Sequence, residues 1–199
     1  MRYPPSMRAP SFLVGLVMIA SSACGGAPRT TGAPTPASPP SSTGSADPSD
    51  SAPTPYTAAQ LRDACKRGRL IELRVEAAGK PAVRRVMTFV SVDDQGAEVA
   101  TVTLDASGAA LDGPKVTQAT WEELRKHAEF PRAAATITKA TVTVPAGTFD
   151  CLLYEVRDGN EVSRSWFAKA LPGPPVQWTV DRTGARVLTV TMLASHPGA

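Results

Sequence analysis

The chain has 199 residues, among them 15 glycines, 19 prolines, three cysteines and two histidines. Its formal net charge of +3 falls to +1 when an N-terminal leader that carries Arg2 and Arg8 is removed. The remaining charges are of mixed sign and form no basic run. Electrostatic binding to nucleic acid or to an anionic lipid surface is therefore not expected.

A signal peptide is predicted at residues 1–23. Positive charge at Arg2 and Arg8 precedes a short apolar run, Phe12–Ala20, and small residues then lead to Cys24. The run is much shorter than the ~20 residues that a membrane-spanning helix needs, so it is typical of a leader and not of an anchor helix.

The four residues SSAC at 21–24, followed by two glycines, resemble the bacterial lipobox, although Ser21 stands where that family usually has leucine. The resemblance implies cleavage before Cys24, acylation of this residue and stable attachment to a membrane through its acyl chains. Gly26 is not the aspartate that retains such lipoproteins in the inner membrane, so an outer membrane is expected where the source has two. The alternative is an ordinary secretory signal that leaves Cys24 as a free thiol.

Residues 24–55 are predicted to be a disordered linker. Beyond Cys24 the segment is almost entirely Pro, Ser, Thr, Ala and Gly, so it has little apolar surface to bury. As a coil it would span roughly 30 Å and as an extended chain roughly 90 Å. Its expected role is to hold the following domain away from the bilayer.

Residues 56–199 are predicted to form a single β-rich domain. Helical signals lie at Thr57–Arg67 and after Thr120, where Thr120 and Glu123 form a capping box and Pro131 stops the helix. Alternating apolar residues and turn signals predict eight strands: Ile71–Val75, Val86–Val92, Glu98–Leu104, Thr136–Val144, Phe149–Arg157, Glu161–Ala168, Val176–Asp181 and Arg186–Leu193. The predicted fold class is α+β, with two short helices and a mainly antiparallel meandering sheet of seven to nine strands. An open half-barrel is one form that such a sheet can take.

The cysteine count predicts a disulfide bond. If Cys24 is acylated, Cys65 on the first helix and Cys151 in a strand form an even pair in an oxidising exported compartment. Closing this loop would contribute about 4 to 5 kcal/mol in the chain-entropy model. Two buried free thiols are the alternative.

The sequence contains no motif for catalysis or for a metal or cofactor. His127 and His196 are the only histidines, and no G-x-S-x-G elbow, phosphate-binding loop or calcium loop is present. The acidic pairs at 93–94 and 122–123 fit a turn and a helix start. No catalytic residue, metal ligand or cofactor is therefore predicted.

Four aromatic residues in the C-terminal strands are the predicted apolar binding face: Tyr154, Trp166, Phe167 and Trp178. A hairpin at Asp158-Gly159 is expected to place Cys151 opposite Trp166, with Tyr154 and Phe167 on the other side of the sheet. Since both sides then carry apolar residues, one covers the core and the other needs a helix, a ligand or a partner.

The segments VPAGTFDCLLYEV (144–156) and SWFAKALPGPPV (165–176), together with the last hairpin, resemble uncharacterised bacterial envelope lipoproteins. They are distantly similar to the half-barrels of the periplasmic lipoprotein-carrier family, which hold acyl chains on a concave sheet. The resemblance covers about 60 residues and implies a fold but no site residue.

The sequence therefore favours a non-enzymatic, membrane-tethered module of the cell envelope. Its expected partners are the membrane, through the acyl chains, and an apolar ligand or an envelope protein. A hydrolase with an unrecognised active site is the alternative.

Overall fold

The computed structural model describes residues 50–199; the predicted leader, Cys24 and the linker up to residue 49 lie outside the described residues. Within residues 50–199 the elements are α1 (Ala58–Ala64), β1 (Leu70–Ala77), β2 (Val83–Val92), β3 (Gly96–Leu104), β4 (Lys115–Thr120), α2 (Trp121–Lys126), β5 (Ala135–Val144), β6 (Gly147–Asp158), β7 (Glu161–Ala168), β8 (Gln177–Arg182) and β9 (Ala185–His196). Both predicted helices and all eight predicted strands are present.

The nine described strands form one open antiparallel sheet in the order β4-β3-β2-β1-β9-β8-β7-β6-β5. Two meanders, β1 to β4 and β5 to β9, are joined where the first strand pairs with the last. The predicted mainly antiparallel, meandering sheet with two short helices is therefore confirmed.

The connection between β4 and β5 requires this sheet to curl. These strands are its two edges, which would lie about 38 Å apart in a flat nine-stranded sheet. Residues 121–134 must cover that distance, although six of them are helical and rise only about 1.5 Å each. Two turns, closed by Glu129 N–H to Lys126 O and by Ala134 N–H to Pro131 O, shorten the rest of the connection. The hairpin between β5 and β6 also approaches β9, where the Ala146 N–H donates to Met192 O at 3.4 Å.

Both helices begin at capping boxes. In α1, Thr57 Oγ1 accepts the Gln60 N–H while the Gln60 side chain accepts the Thr57 N–H. In α2, Thr120 and Glu123 form the same reciprocal pair, as the sequence predicts. These contacts satisfy amide groups that the first turn leaves without helical partners, which favours helices this short.

Strand β4 was not predicted from the sequence. Of its six side chains only Ala119 is partly buried, so the strand lacks the alternation of apolar and polar residues that marks the others. Its pairing with β3 brings Ala119 opposite Ala97 and Val116 opposite Ala100. The backbone ladder, not side-chain burial, specifies this edge strand.

The predicted register of the β6–β7 hairpin is wrong by two residues. Cys151 lies opposite Ala168, and Trp166 lies opposite Leu153. The sequence placed Asp158 and Gly159 at the two loop positions, whereas Asp158 pairs with Glu161 and the loop is one residue later. A shift of two residues keeps every side chain on its predicted side of the sheet.

The core lies between the helices and the sheet. Leu61 of α1, Trp121 of α2 and Ile71 of β1 are 5%, 4% and 0% exposed. Along β1, Ile71 and Leu73 are buried, while Val75 on the same side is only half-buried. Burial on this side of the sheet therefore decreases along β1 from Ile71 to Val75.

Candidate functional site

Two of the four predicted aromatic residues belong to the core. Tyr154 is 1% exposed and Phe167 is 5% exposed, and their ring centroids lie 5.3 Å apart in an edge-to-face arrangement. Tyr56 packs edge-on against Phe167 at 6.1 Å, and Phe130 contacts Tyr154 at 5.7 Å. These four rings form a connected cluster, and burial raises the pKa of Tyr154 and, more strongly, of Tyr56.

The two tryptophans lie on opposite sides of the sheet. Trp178 pairs with Ser165, which pairs with Tyr154, so Trp178 is on the side of the aromatic cluster. Trp166 is paired with Leu153 and faces the other way. Both indoles are partly buried against the core. The structure therefore brings three of the four predicted residues to one side and separates Trp166 from them.

A row of side chains crosses the sheet on the side of Tyr154. The strand registers place them in one line from β2 to β5: Val83, Val75, Val190, Trp178, Ser165, Tyr154 and Ile137. Ser165 and Tyr154 carry the hydroxyl groups of this row, and with Val190 they are its buried members, at 7%, 1% and 8% exposed. Val83, Val75, Trp178 and Ile137 are half-buried. We call this set the apolar row.

The opposite side of the same strands carries charge. Arg164 bridges two carboxylates, with Nε 2.7 Å from Glu155 and Nη1 2.7 Å from Asp181. Arg186 also contacts Asp181, and Arg157 contacts Glu155 at 2.5 Å. The hydrogen bond from Arg186 is the main cause that lowers the pKa of Asp181. This charged patch shares its side of the sheet with Leu153, Trp166 and the buried Cys151.

Cys65 and Cys151 are separate free thiols in the structure, and the predicted bond between them is not formed. Their exposed fractions are 2% and 1%. Cys65 Sγ accepts a hydrogen bond from Arg69 at 3.1 Å, while Cys151 Sγ donates to Phe149 O at 3.6 Å. Each sulfur therefore has its own polar neighbour, and burial raises the pKa of both thiols.

Arg69 is a buried cation that sequence reasoning missed. It is 2% exposed, and its Nη1 donates to Pro172 O at 2.6 Å as well as to Cys65. Its Nη2 has no hydrogen-bond partner among the described residues and lies beside Gly173, where a Cβ would come within 3.3 Å. No sequence signal marks it, because an arginine between a helix and a strand is usually exposed.

The segment Asp50–Tyr56, which we call the strap, is bound to the domain although the sequence places most of it in the linker. The Ala52 N–H donates to Phe130 O and the Arg132 N–H donates to Asp50 O, both at 2.8 Å. Tyr154 Oη donates to Pro53 O at 2.7 Å. The folded domain therefore includes residues from Asp50 onward, six residues before the predicted limit.

The titratable residues considered for catalysis are not assembled into a site. His127 is exposed at the C-cap of α2, and His196 is the last residue of β9, where it pairs with Leu70. Asp93 accepts the N–H groups of Gln95 and Gly96 in its turn, and Glu123 caps α2. Each acidic pair has the structural role that its sequence context predicts.

Two surface depressions of about 560 and 470 Å³ lie near α1 and α2, and neither is lined by any of the four predicted aromatic residues. The first is lined by charged side chains of α1 and of the turn after β2, the second by the β3–β4 edge. Within residues 50–199, no group of three or more His, Cys, Asp or Glu side chains is placed to hold a metal ion. No helix in that range is long and apolar enough to cross a membrane.

No protein-family model matches the chain, and no curated protein matches it significantly.

Proposed function

We propose that this protein is a lipid-anchored, non-enzymatic binding module of the cell envelope, and that the apolar row is its ligand-binding surface. The observation that carries the proposal is the alignment of the row across seven strands, in which half-buried Val83, Val75, Trp178 and Ile137 accompany three buried residues. Half-buried apolar side chains aligned in this way provide a long surface for an acyl chain or a similarly apolar ligand.

The curl that the β4–β5 connection requires supports the same proposal. A curled sheet presents one side as a concave trough, which is the half-barrel geometry of the lipoprotein-carrier family that the C-terminal segments resemble. The charged side of the sheet, with its bridged Arg164, suits contact with water instead. The half-buried part of the row is thereby suited to an apolar ligand, and the salt-bridged patch around Arg164 to solvent.

Binding is tested by titrating the protein with a fluorescent fatty acid. Trp178→Arg is expected to weaken binding by at least tenfold, because it places a charge in the middle of the apolar row. Trp166→Arg is the matched control, since this tryptophan lies on the opposite side of the same β-strand pair. Val83→Asp, at the end of the row, provides a second variant if the central one does not fold. Equal affinity in all variants would contradict the proposed surface.

The anchor is tested independently. Mass spectrometry of the natively expressed protein is expected to find an N-terminal acylated Cys24, and Cys24→Ala is expected to release the domain from membranes. A soluble product that begins with unmodified Cys24 would refute the anchor without affecting the ligand proposal.

A further inference from the structure

The strap binds to the domain through backbone hydrogen bonds, as an added β-strand would. Its two backbone hydrogen bonds with Phe130 and Arg132 belong to an antiparallel bridge between Ser51 and Pro131. Ser51 Oγ also donates to Glu129 Oε1 at 2.8 Å. Main-chain pairing of this kind binds an extended peptide whatever its side chains, so selectivity must come from the positions beside the ladder.

Those positions select an Ala-Pro pair. Ala52 is 5% exposed, which leaves no room for a larger side chain without displacing its neighbours. The ring of Pro53 is exposed, and its carbonyl accepts the Tyr154 hydroxyl. Proline also holds the residue before it in the extended conformation that the bridge requires. We call the segment Glu129–Arg132 together with Tyr154 the strap groove.

The sequence of the bound strap occurs twice in the chain. Ala52-Pro53-Thr54-Pro55 is repeated residue for residue at Ala33-Pro34-Thr35-Pro36. We propose that the strap groove is a recognition site for extended Ala-Pro-Thr-Pro peptides, and that its second occupant is the Ala33–Pro36 segment of a neighbouring copy of this chain. When this segment replaces the resident strap in the groove of another copy, the two copies are linked through their N-terminal segments.

The resident strap is the stronger ligand for two reasons. Gly32 stands where the strap has Ser51, so the second segment lacks the hydrogen bond to Glu129. Ala37 stands where the strap has Tyr56, whose hydroxyl donates to Ala168 O at 2.6 Å. Exchange therefore depends on a high local concentration of copies. A high local concentration on a membrane requires the proposed anchor at Cys24. Recognition of the peptide by the groove does not depend on this anchor.

Recognition is tested on the full-length chain in detergent with Ala33→Arg and Ala52→Arg, which weakens the resident strap and disables the second segment. A labelled peptide of residues 32–37 is titrated and its fluorescence anisotropy measured. Saturable binding is expected, at least tenfold tighter than for the same peptide carrying Ala33→Arg. Adding Tyr154→Phe to the protein is expected to weaken binding about fivefold, the loss of about one hydrogen bond. Equal binding of both peptides, or none at millimolar concentration, would overturn the proposal.

A second measurement needs no change in the groove. A photoreactive residue is introduced at Thr35 of the otherwise unaltered chain, and isotopically labelled and unlabelled copies are mixed on the same vesicles. Crosslinks from position 35 to Glu129–Arg132 that join a labelled to an unlabelled copy are expected. Crosslinks confined to single copies, or the absence of crosslinks to Glu129–Arg132, would overturn the neighbouring-copy occupant, whereas the peptide titration decides recognition by the groove.

Discussion

At the scale of single residues, contacts of Gly198 and Ala199 fix the conformation of the C-terminal residues, which look unconstrained in the sequence. Gly198, the penultimate residue, lies against the turn after α1, and the Ala199 N–H donates to Arg67 O at 3.0 Å. A Cβ at Gly198 would lie 2.2 Å from Arg67 O. The C-terminal residues are therefore packed, although a tail with proline and glycine usually frays.

Gly198→Ala is expected to destabilise the fold by about 1–2 kcal/mol, because the added methyl group forces the backbone away from Arg67. The midpoint of thermal unfolding should fall by about 3–7 °C. Gly113→Ala is the control, since nothing lies within 4 Å of its Cβ position. Equal midpoints for the two variants would show that the C-terminal contact does not form in solution.

The two buried cysteines lead to a second prediction at this scale. In a Cys24→Ser background, Cys65 and Cys151 are expected to be unreactive toward a thiol reagent in the folded protein, because both are almost completely buried and burial raises the pKa of each. Unfolding without reductant should release two reactive thiols. A mass two units lower, with no thiol released, would establish the disulfide that export and the cysteine count predict.

At the scale of elements, the sequence was informative where burial is periodic and where capping is local. Thr57 and Thr120 begin helices as expected, and the strands with alternating apolar residues are all present. Strand β4 escaped prediction because its side chains are exposed, and the β6–β7 register shifted because Gly159 permits either turn. The apolar row could not be derived at all, since it depends on six registers among seven strands.

The charged side of the sheet gives a prediction about pH. Arg186, and with it Arg164, holds the pKa of Asp181 below its ordinary value, so the folded state favours the ionised carboxylate. A depressed pKa contributes stability above the unfolded value near 3.9, and this contribution is lost as the pH falls through the folded value. Urea unfolding of the wild type should therefore weaken more steeply below about pH 4 than that of Asp181→Asn. Parallel acid profiles would contradict a paired Asp181.

At the scale of the whole molecule, the strap changes where the domain begins. Composition alone placed residues 24–55 in a linker, because Pro, Ala, Ser and Thr bury little surface. Ala52 is nevertheless buried by its neighbours, and Pro53 accepts the hydroxyl of Tyr154. Sequence reasoning missed this because the recognising groups, Phe130 and Tyr154, lie about 80 to 100 residues away along the chain.

Two deletions separate the linker from the strap. Removal of residues 25–49 is expected to leave the midpoint of thermal unfolding within about a degree, as for a segment without native contacts. Removal of residues 25–55 is expected to lower it by about 4–10 °C, because the buried Tyr154 hydroxyl loses its acceptor and three further hydrogen bonds disappear. Tyr154→Phe should recover part of this loss in the longer deletion, since no unpaired hydroxyl then remains, and should destabilise the shorter one. Equal midpoints for the two deletions would mean that the strap is not bound in solution and would return the domain boundary to Tyr56.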